Sequence, residues 1–160
     1  MAVAVLTATC WVGCASAWRL EASSLDVAAG VAETYRFSPK HLTVTRRTAG
    51  GPLRQVLVRR ELTETEVQEV LSALGLFHQA RTARTYRRAG VTDGSILTIR
   101  YVINTHRRET TLQNVYLEPV GTLVRRLVPL LPEGTRLSTY FILGPLGSTA
   151  PSSNKAKLPG

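Results

Sequence analysis

The stretch from Leu62 to Gly75 constrains the fold of this chain more than any other. Thr63 suits a helix N-cap: its hydroxyl can accept the N–H of Glu66, and the Glu66 carboxylate can accept the N–H of Thr63 in return. Leu62 and Val67 stand at the two positions of a hydrophobic staple, and Glu64, Glu66 and Glu69 put negative charge near the positive end of the helix dipole. Val67, Val70, Leu71 and Leu74 recur at spacings of three and four, so they share one face. Gly75 is read as the residue that stops the helix. A helix this short does not persist alone in water. Each apolar side chain contributes ~1.5–3 kcal/mol when buried, so the stripe needs a sheet or a second helix to cover it.

Strands are expected on both sides of that helix. Val31 to Phe37 is a strand ending at the Ser38-Pro39 turn. Leu42 and Val44 alternate with Thr43 and Thr45 over His41 to Arg47. Gly50-Gly51 turns the chain, and Arg54 to Glu61 returns. After the Asp93-Gly94 turn, Ser95 to Ile103 carries Leu97, Ile99, Tyr101 and Ile103 on one side, with Ile96 and Val102 on the other. Such a strand belongs inside a sheet. Arg108 to Asn114 is a more polar return strand, nearer an edge. A second helix starts at Leu117, with Pro119 in its first turn and Val120, Leu123, Val124 and Leu127 as its buried stripe; Pro129 limits it. Arg136 to Leu143 reads as a last strand. The order predicts an α+β fold: an antiparallel sheet of about five or six strands built from two hairpins, with two helices packed on one face.

The flanks differ in composition. Residues 1–17 carry no charged side chain and read as an export segment. Two cleavage readings stay open. Ala15-Ser16-Ala17 fits the small-x-small pattern. Trp11-Val12-Gly13-Cys14 resembles a lipobox, which would make Cys14 a lipidated residue and anchor the chain to a membrane. Residues 18–30 read as a tether, 31–143 as a single α+β domain, and 144–160, rich in Gly, Pro, Ser and Lys, as a disordered tail. Cys10 and Cys14 form a C-x3-C pair without a second pair or a nearby His, so a zinc site is not expected.

Charge narrows the partners. The formal net charge is +9, and every one of the 20 basic residues except Lys40, Lys155 and Lys157 is arginine. That balance admits nucleic acid, anionic lipid or an acidic protein face. Arg81, Arg84, Arg87 and Arg88 are the cluster singled out as an anion- or partner-binding candidate. If helical, they would share one side with Tyr86 beside them, and guanidinium forks suit phosphates and carboxylates. Nucleic acid is disfavoured, for want of interleaved aromatics or a recognisable module.

No H-E-x-x-H, G-x-S-x-G, P-loop or G-x-G-x-x-G occurs. His41, His78 and His106 lie far apart in sequence, none with a partner at ligand spacing. Asp93 belongs to a turn. Neither catalytic residues, a metal site nor a cofactor is expected.

Arg47-Thr48-Ala49-Gly50-Gly51, Glu66-Val67-Gln68-Glu69-Val70-Leu71 and Asp93-Gly94-Ser95-Ile96-Leu97-Thr98-Ile99 fall in an order that resembles the emfourin-type inhibitors of thermolysin-like metalloproteases, over about Leu42 to Leu131. The order also resembles small exported bacterial domains of unknown function. The first resemblance implies a proteinaceous inhibitor; no inhibitory residue matches closely enough to be carried over. The expectation is therefore a non-catalytic domain, exported to the periplasm or anchored at the outer membrane, with a binding or accessory role. A metalloprotease inhibitor and an Arg-rich anion or nucleic-acid binder are the alternatives.

Overall fold

The computed structural model describes residues 17–51, 54–87, 94–135 and 137. Its strands are β1 (Trp18–Asp26), β2 (Val31–Phe37), β3 (His41–Thr48), β4 (Gln55–Glu61), β5 (Thr85–Arg87), β6 (Ser95–Ile103) and β7 (His106–Gln113). They form one seven-stranded sheet in the order β4-β3-β2-β1-β6-β7-β5. Two helices, α1 (Glu64–Gln79) and α2 (Glu118–Leu127), pack on one another over one face. The fold is thus α+β as expected, with seven strands rather than five or six. It is mixed rather than wholly antiparallel, because β5 runs parallel to β7.

Residues 18–30, expected to be a tether, contain β1, the middle strand of the sheet, bonded to β2 on one side and β6 on the other. Small residues disguise it. Trp18, Leu20, Ala22 and Ser24 are buried on the helix side, while Arg19, Glu21 and Ser23 alternate onto the other face. Asp26 then turns the chain by accepting the Ala29 N–H at 2.9 Å, and Gly30 takes the positive φ the turn requires.

The α1 capping box forms as the sequence predicts. Thr63 Oγ1 accepts from Glu66 N at 3.3 Å, and Glu66 Oε2 accepts from Thr63 N at 2.8 Å. The helix does not stop at Gly75, however. It runs to Gln79, is capped by Ala80, and ends where Arg81 adopts a φ of 47°. The extra turn buries Phe77 edge-on against Tyr101 at 5.8 Å. That burial is worth ~1.5–3 kcal/mol, against about 1 kcal/mol for a glycine inside a helix. In α2, Val120, Leu123, Val124 and Leu127 are all buried, and the chain tightens into a 3-10 turn at Val128–Leu130 around Pro129.

The core lies between the helices and one face of the sheet. Rows of side chains cross the strands there, such as Leu42–Phe37–Leu20–Tyr101 and Val44–Tyr35–Ala22–Ile99. Leu137, from the expected last strand, is buried, and its N–H donates to the Tyr35 hydroxyl at 3.1 Å. The rest of that expected strand, the tail at 144–160 and the segment holding Cys10 and Cys14 lie outside the described residues.

Candidate functional site: the open face of the sheet

Among the described residues no helix covers the second face of the sheet, and strand alternation dictates what stands on it. One row reads Arg59, Thr43, Arg36, Glu21, Arg100, Glu109 from β4 to β7. The next reads Thr45, Thr34, Ser23, Thr98, Thr111 and ends at Thr85 of β5. A third brings Arg19 and Arg107 to either side of Val102. Strands lie about 4.8 Å apart, so these rows are regular arrays of guanidinium and hydroxyl groups.

The charged row is partly self-compensating. Glu21 sits between two arginines, accepting from Arg36 Nε at 2.6 Å and from Arg100 Nη1 at 3.4 Å. Arg100 also donates Nε to Glu109 at 2.8 Å. The Arg100 guanidinium, with Arg84 and Arg107 nearby, holds the Glu109 carboxyl below the usual carboxylate range, and Glu109 raises Arg100 in turn. Arg19, Arg59 and Arg107 have no carboxylate within ion-pair distance among the described residues. The face as a whole therefore carries an excess of positive charge. Two shallow concavities run along it. One lies between Arg19, Arg100 and Arg107, and the other between Arg36, His41 and Arg59.

A recess of about 470 Å³ continues this belt around the edge of β7, lined by Thr82, Arg84, Arg107, Arg108, Glu109 and Thr110. It exists because β5 pairs only with Thr111–Gln113, which leaves the outer edge of β7 from His106 to Thr110 without a strand partner among the described residues.

The arginine cluster picked out in the sequence is dispersed. Arg81 sits in the turn after α1, Arg84 precedes β5, Arg87 is in β5, and Arg88 lies outside the described residues. The three described members do not share a helical side, and of these three only Arg84 joins the recess. The belt residues Arg19, Arg36, Arg59, Arg100, Arg107 and Arg108 were not singled out in the sequence. The signal for half of them lay in parity: Arg36, Arg59 and Arg100 occupy the polar alternate positions of strands the sequence does predict.

Distance in sequence also misled for the histidines. His78 and His106 come together with ring centroids 6.5 Å apart, and His78 Nδ1 lies 3.0 Å from the Tyr101 hydroxyl. Burial raises the Tyr101 phenol and the neighbouring Arg108 offsets part of that. Among the described residues no three His, Cys, Asp or Glu side chains gather as metal ligands, and no helix is long and apolar enough to cross a membrane.

A second polar cluster is structural. Glu33, fully buried, accepts Arg46 Nη2 at 2.6 Å and Nε at 2.8 Å, and also accepts the Tyr35 hydroxyl. Burial first, and then this bond, push the Tyr35 phenol well above its ordinary range. Because Tyr35 also takes the Leu137 N–H, the cluster ties the chain after α2 to β2. No protein-family model matches this chain, and no curated protein matches it either.

Proposed function

We propose that this chain is a non-catalytic binding domain that holds an acidic partner against the open face of its sheet. One observation carries the reading: guanidinium groups from β1, β2, β4, β6 and β7 stand on a face that no described helix covers, beside a row of hydroxyls. Guanidinium forks match carboxylates and phosphates, and the hydroxyls both donate and accept. Of the described Trp, Tyr and Phe side chains on the strands, Trp18, Tyr35, Phe37 and Tyr101 are buried on the helix side, and Tyr86 of β5 is half-buried against the core. Bases of a single-stranded nucleic acid would find no stacking platform among them. The uncharged residues 1–17 support an exported, envelope-associated setting for this binding.

Retention on immobilised heparin, a generic polyanion, tests the reading. The wild-type chain is expected to elute at elevated salt. The variant R19E/R59E/R107E, whose changes lie away from the core, is expected to elute near the void. Equal retention of the two would remove the open face as the binding surface. Titration against a thermolysin-like protease tests the inhibitor reading separately. Inhibition that survives in R19E/R59E/R107E would favour an inhibitor acting through another surface.

A further inference from the structure

We propose that the recess at the outer edge of β7 is a seat for a single tetrahedral oxyanion, of the phosphate or sulfate-ester type, formed by Arg84, Arg107, Thr82 and the exposed backbone of β7. This deepens the reading of the open face, on which it rests, by naming one chemical group of the partner and where it docks.

Three features of the recess point to this ligand. The first is backbone. Thr111 donates its N–H outward, to the Arg84 carbonyl at 2.9 Å. Strand alternation aims the N–H groups of Glu109 and Arg107 in the same direction, beyond the end of β5, where no strand receives them among the described residues. Outward N–H groups on a short uncovered edge are donors for an anion.

The second feature is charge. Arg84, Arg107 and Arg108 all line the recess. Glu109 lines it too, but its carboxylate is already engaged by Arg100 Nε at 2.8 Å, a residue of the neighbouring strand. Arg84 and Arg107 have no ion-pair partner among the described residues. The recess therefore retains positive charge after its own acid is accounted for.

The third feature is the hydroxyl pair. Thr82 Oγ1 and Thr110 Oγ1 lie 2.9 Å apart. One of the two must donate to the other, and the second keeps its proton to offer outward. Guanidinium forks, backbone N–H groups and a hydroxyl suit a compact group with three or four oxygens better than a planar carboxylate, which presents only two.

The test is titration of inorganic phosphate, inorganic sulfate and acetate into the intact chain at low ionic strength, followed by amide and Arg Nε chemical shifts. Phosphate and sulfate are expected to saturate at or below about 1 mM, shifting Glu109 and Arg84, with acetate at least about tenfold weaker. Arg84→Ala and Arg107→Ala are each expected to weaken phosphate about tenfold or more, whereas Arg126→Ala, at an exposed position of α2, leaves it unchanged. A phosphomonoester binding as well as inorganic phosphate would mark the group as one carried on a larger molecule. A preference for the free ion would mark the site as one for the small anion itself. Either is compatible with the seat. No saturation, equal affinity for acetate, or insensitivity to both Arg84 and Arg107 overturns it. If phosphate fails while heparin retention still depends on Arg19 and Arg59, only the seat is lost. If both fail, the open-face reading falls as well.

Discussion

Thr98 and Ile99 are neighbours in β6 with opposite surroundings. Ile99 is fully buried beneath the helices, in a row with Ala22, Tyr35 and Val44. Thr98 stands on the other face and shares a hydroxyl contact with Thr111 at 3.3 Å. The same contrast repeats along β1, β2 and β3. The helix-covered face is held by apolar packing, where the loss of atoms leaves a cavity. The open face is held by solvated ion pairs and hydroxyl contacts, whose net contribution to folding is small. Stability is thus concentrated on one side of the sheet, which leaves the composition of the other side free for binding.

The largest effect should come from setting these two neighbours against each other. Ile99→Ala is expected to destabilise the fold by about 2–5 kcal/mol, and Thr98→Ala by no more than about 0.5 kcal/mol. Urea denaturation of the two variants measures the difference directly. Comparable losses would mean that the open face is packed against something and that the division into a structural and a binding side is wrong.

The Glu33 cluster is the exception that sharpens the comparison, since it places a charge on the covered side. Arg46→Ala takes the guanidinium away from a carboxylate that is 0% exposed and leaves it the Tyr35 hydroxyl, a neutral donor. Arg46 is itself 37% exposed, so the expected cost is about 2–3 kcal/mol, at or below the range for a fully buried pair. Adding Glu33→Gln to Arg46→Ala should return part of that loss. If the double variant is no more stable than the single one, the penalty does not come from the uncompensated charge.

How much of this was legible beforehand follows the same division. Apolar periodicity located β2, β3, β4, β6 and both helices, because packing against one core imposes a regular repeat on the residues that touch it. Three things escaped. In β1, Ala22 and Ser24 are small, so a central strand looked like a tether. The three residues of β5 have too little pattern to read, and their parallel pairing depends on where the loop after α1 brings them. Gly75 suggested a helix end because the gain from burying Phe77 one turn later is a tertiary term. The binding surface was less visible still. Its arginines are scattered from Arg19 to Arg107, and only the pairing register brings them together, whereas Arg81, Arg84 and Arg87 of the visible run are spread over a turn, a loop and a strand. The junction of His78 with His106 was hidden for the same reason.

At the rim of the covered face, Arg60 and Glu66 provide a pH-dependent contrast. Arg60 Nη2 donates to Glu66 Oε1 at 2.6 Å and to the Leu130 carbonyl at 3.0 Å, joining β4, α1 and the turn after α2. The Arg60 bond first, and then the Thr63 N–H, hold the Glu66 carboxyl down to about 2. A carboxyl lowered by folding contributes stability that is complete above its unfolded value, and that stability is lost as pH falls toward the folded value. The window is therefore about pH 5 down to about 2, and the contribution is about 1 kcal/mol once solvent screening is allowed for. Chemical denaturation across that window should show the wild type losing this increment and Glu66→Gln lacking it. Parallel curves would mean that the pair is not formed in solution.

The smallest stability effect belongs to the open face, and there the contrast is between folding and binding. Arg100 contacts both Glu21 and Glu109, yet its side chain is 47% exposed. An exposed pair of this kind is worth at most about 1 kcal/mol. Arg100→Gln should therefore shift the unfolding midpoint only slightly. The same change removes the cation between two carboxylates, leaving Glu21 with Arg36 alone and releasing Glu109 toward the β7 recess. Local charge on the binding face falls by one unit, and the carboxylate nearest the recess loses its counter-ion. Heparin retention and phosphate affinity should then drop together while the unfolding midpoint barely moves. A variant that lost stability in proportion to binding would show that the charged row is part of what holds the sheet together, and the separation of the two faces would have to be abandoned.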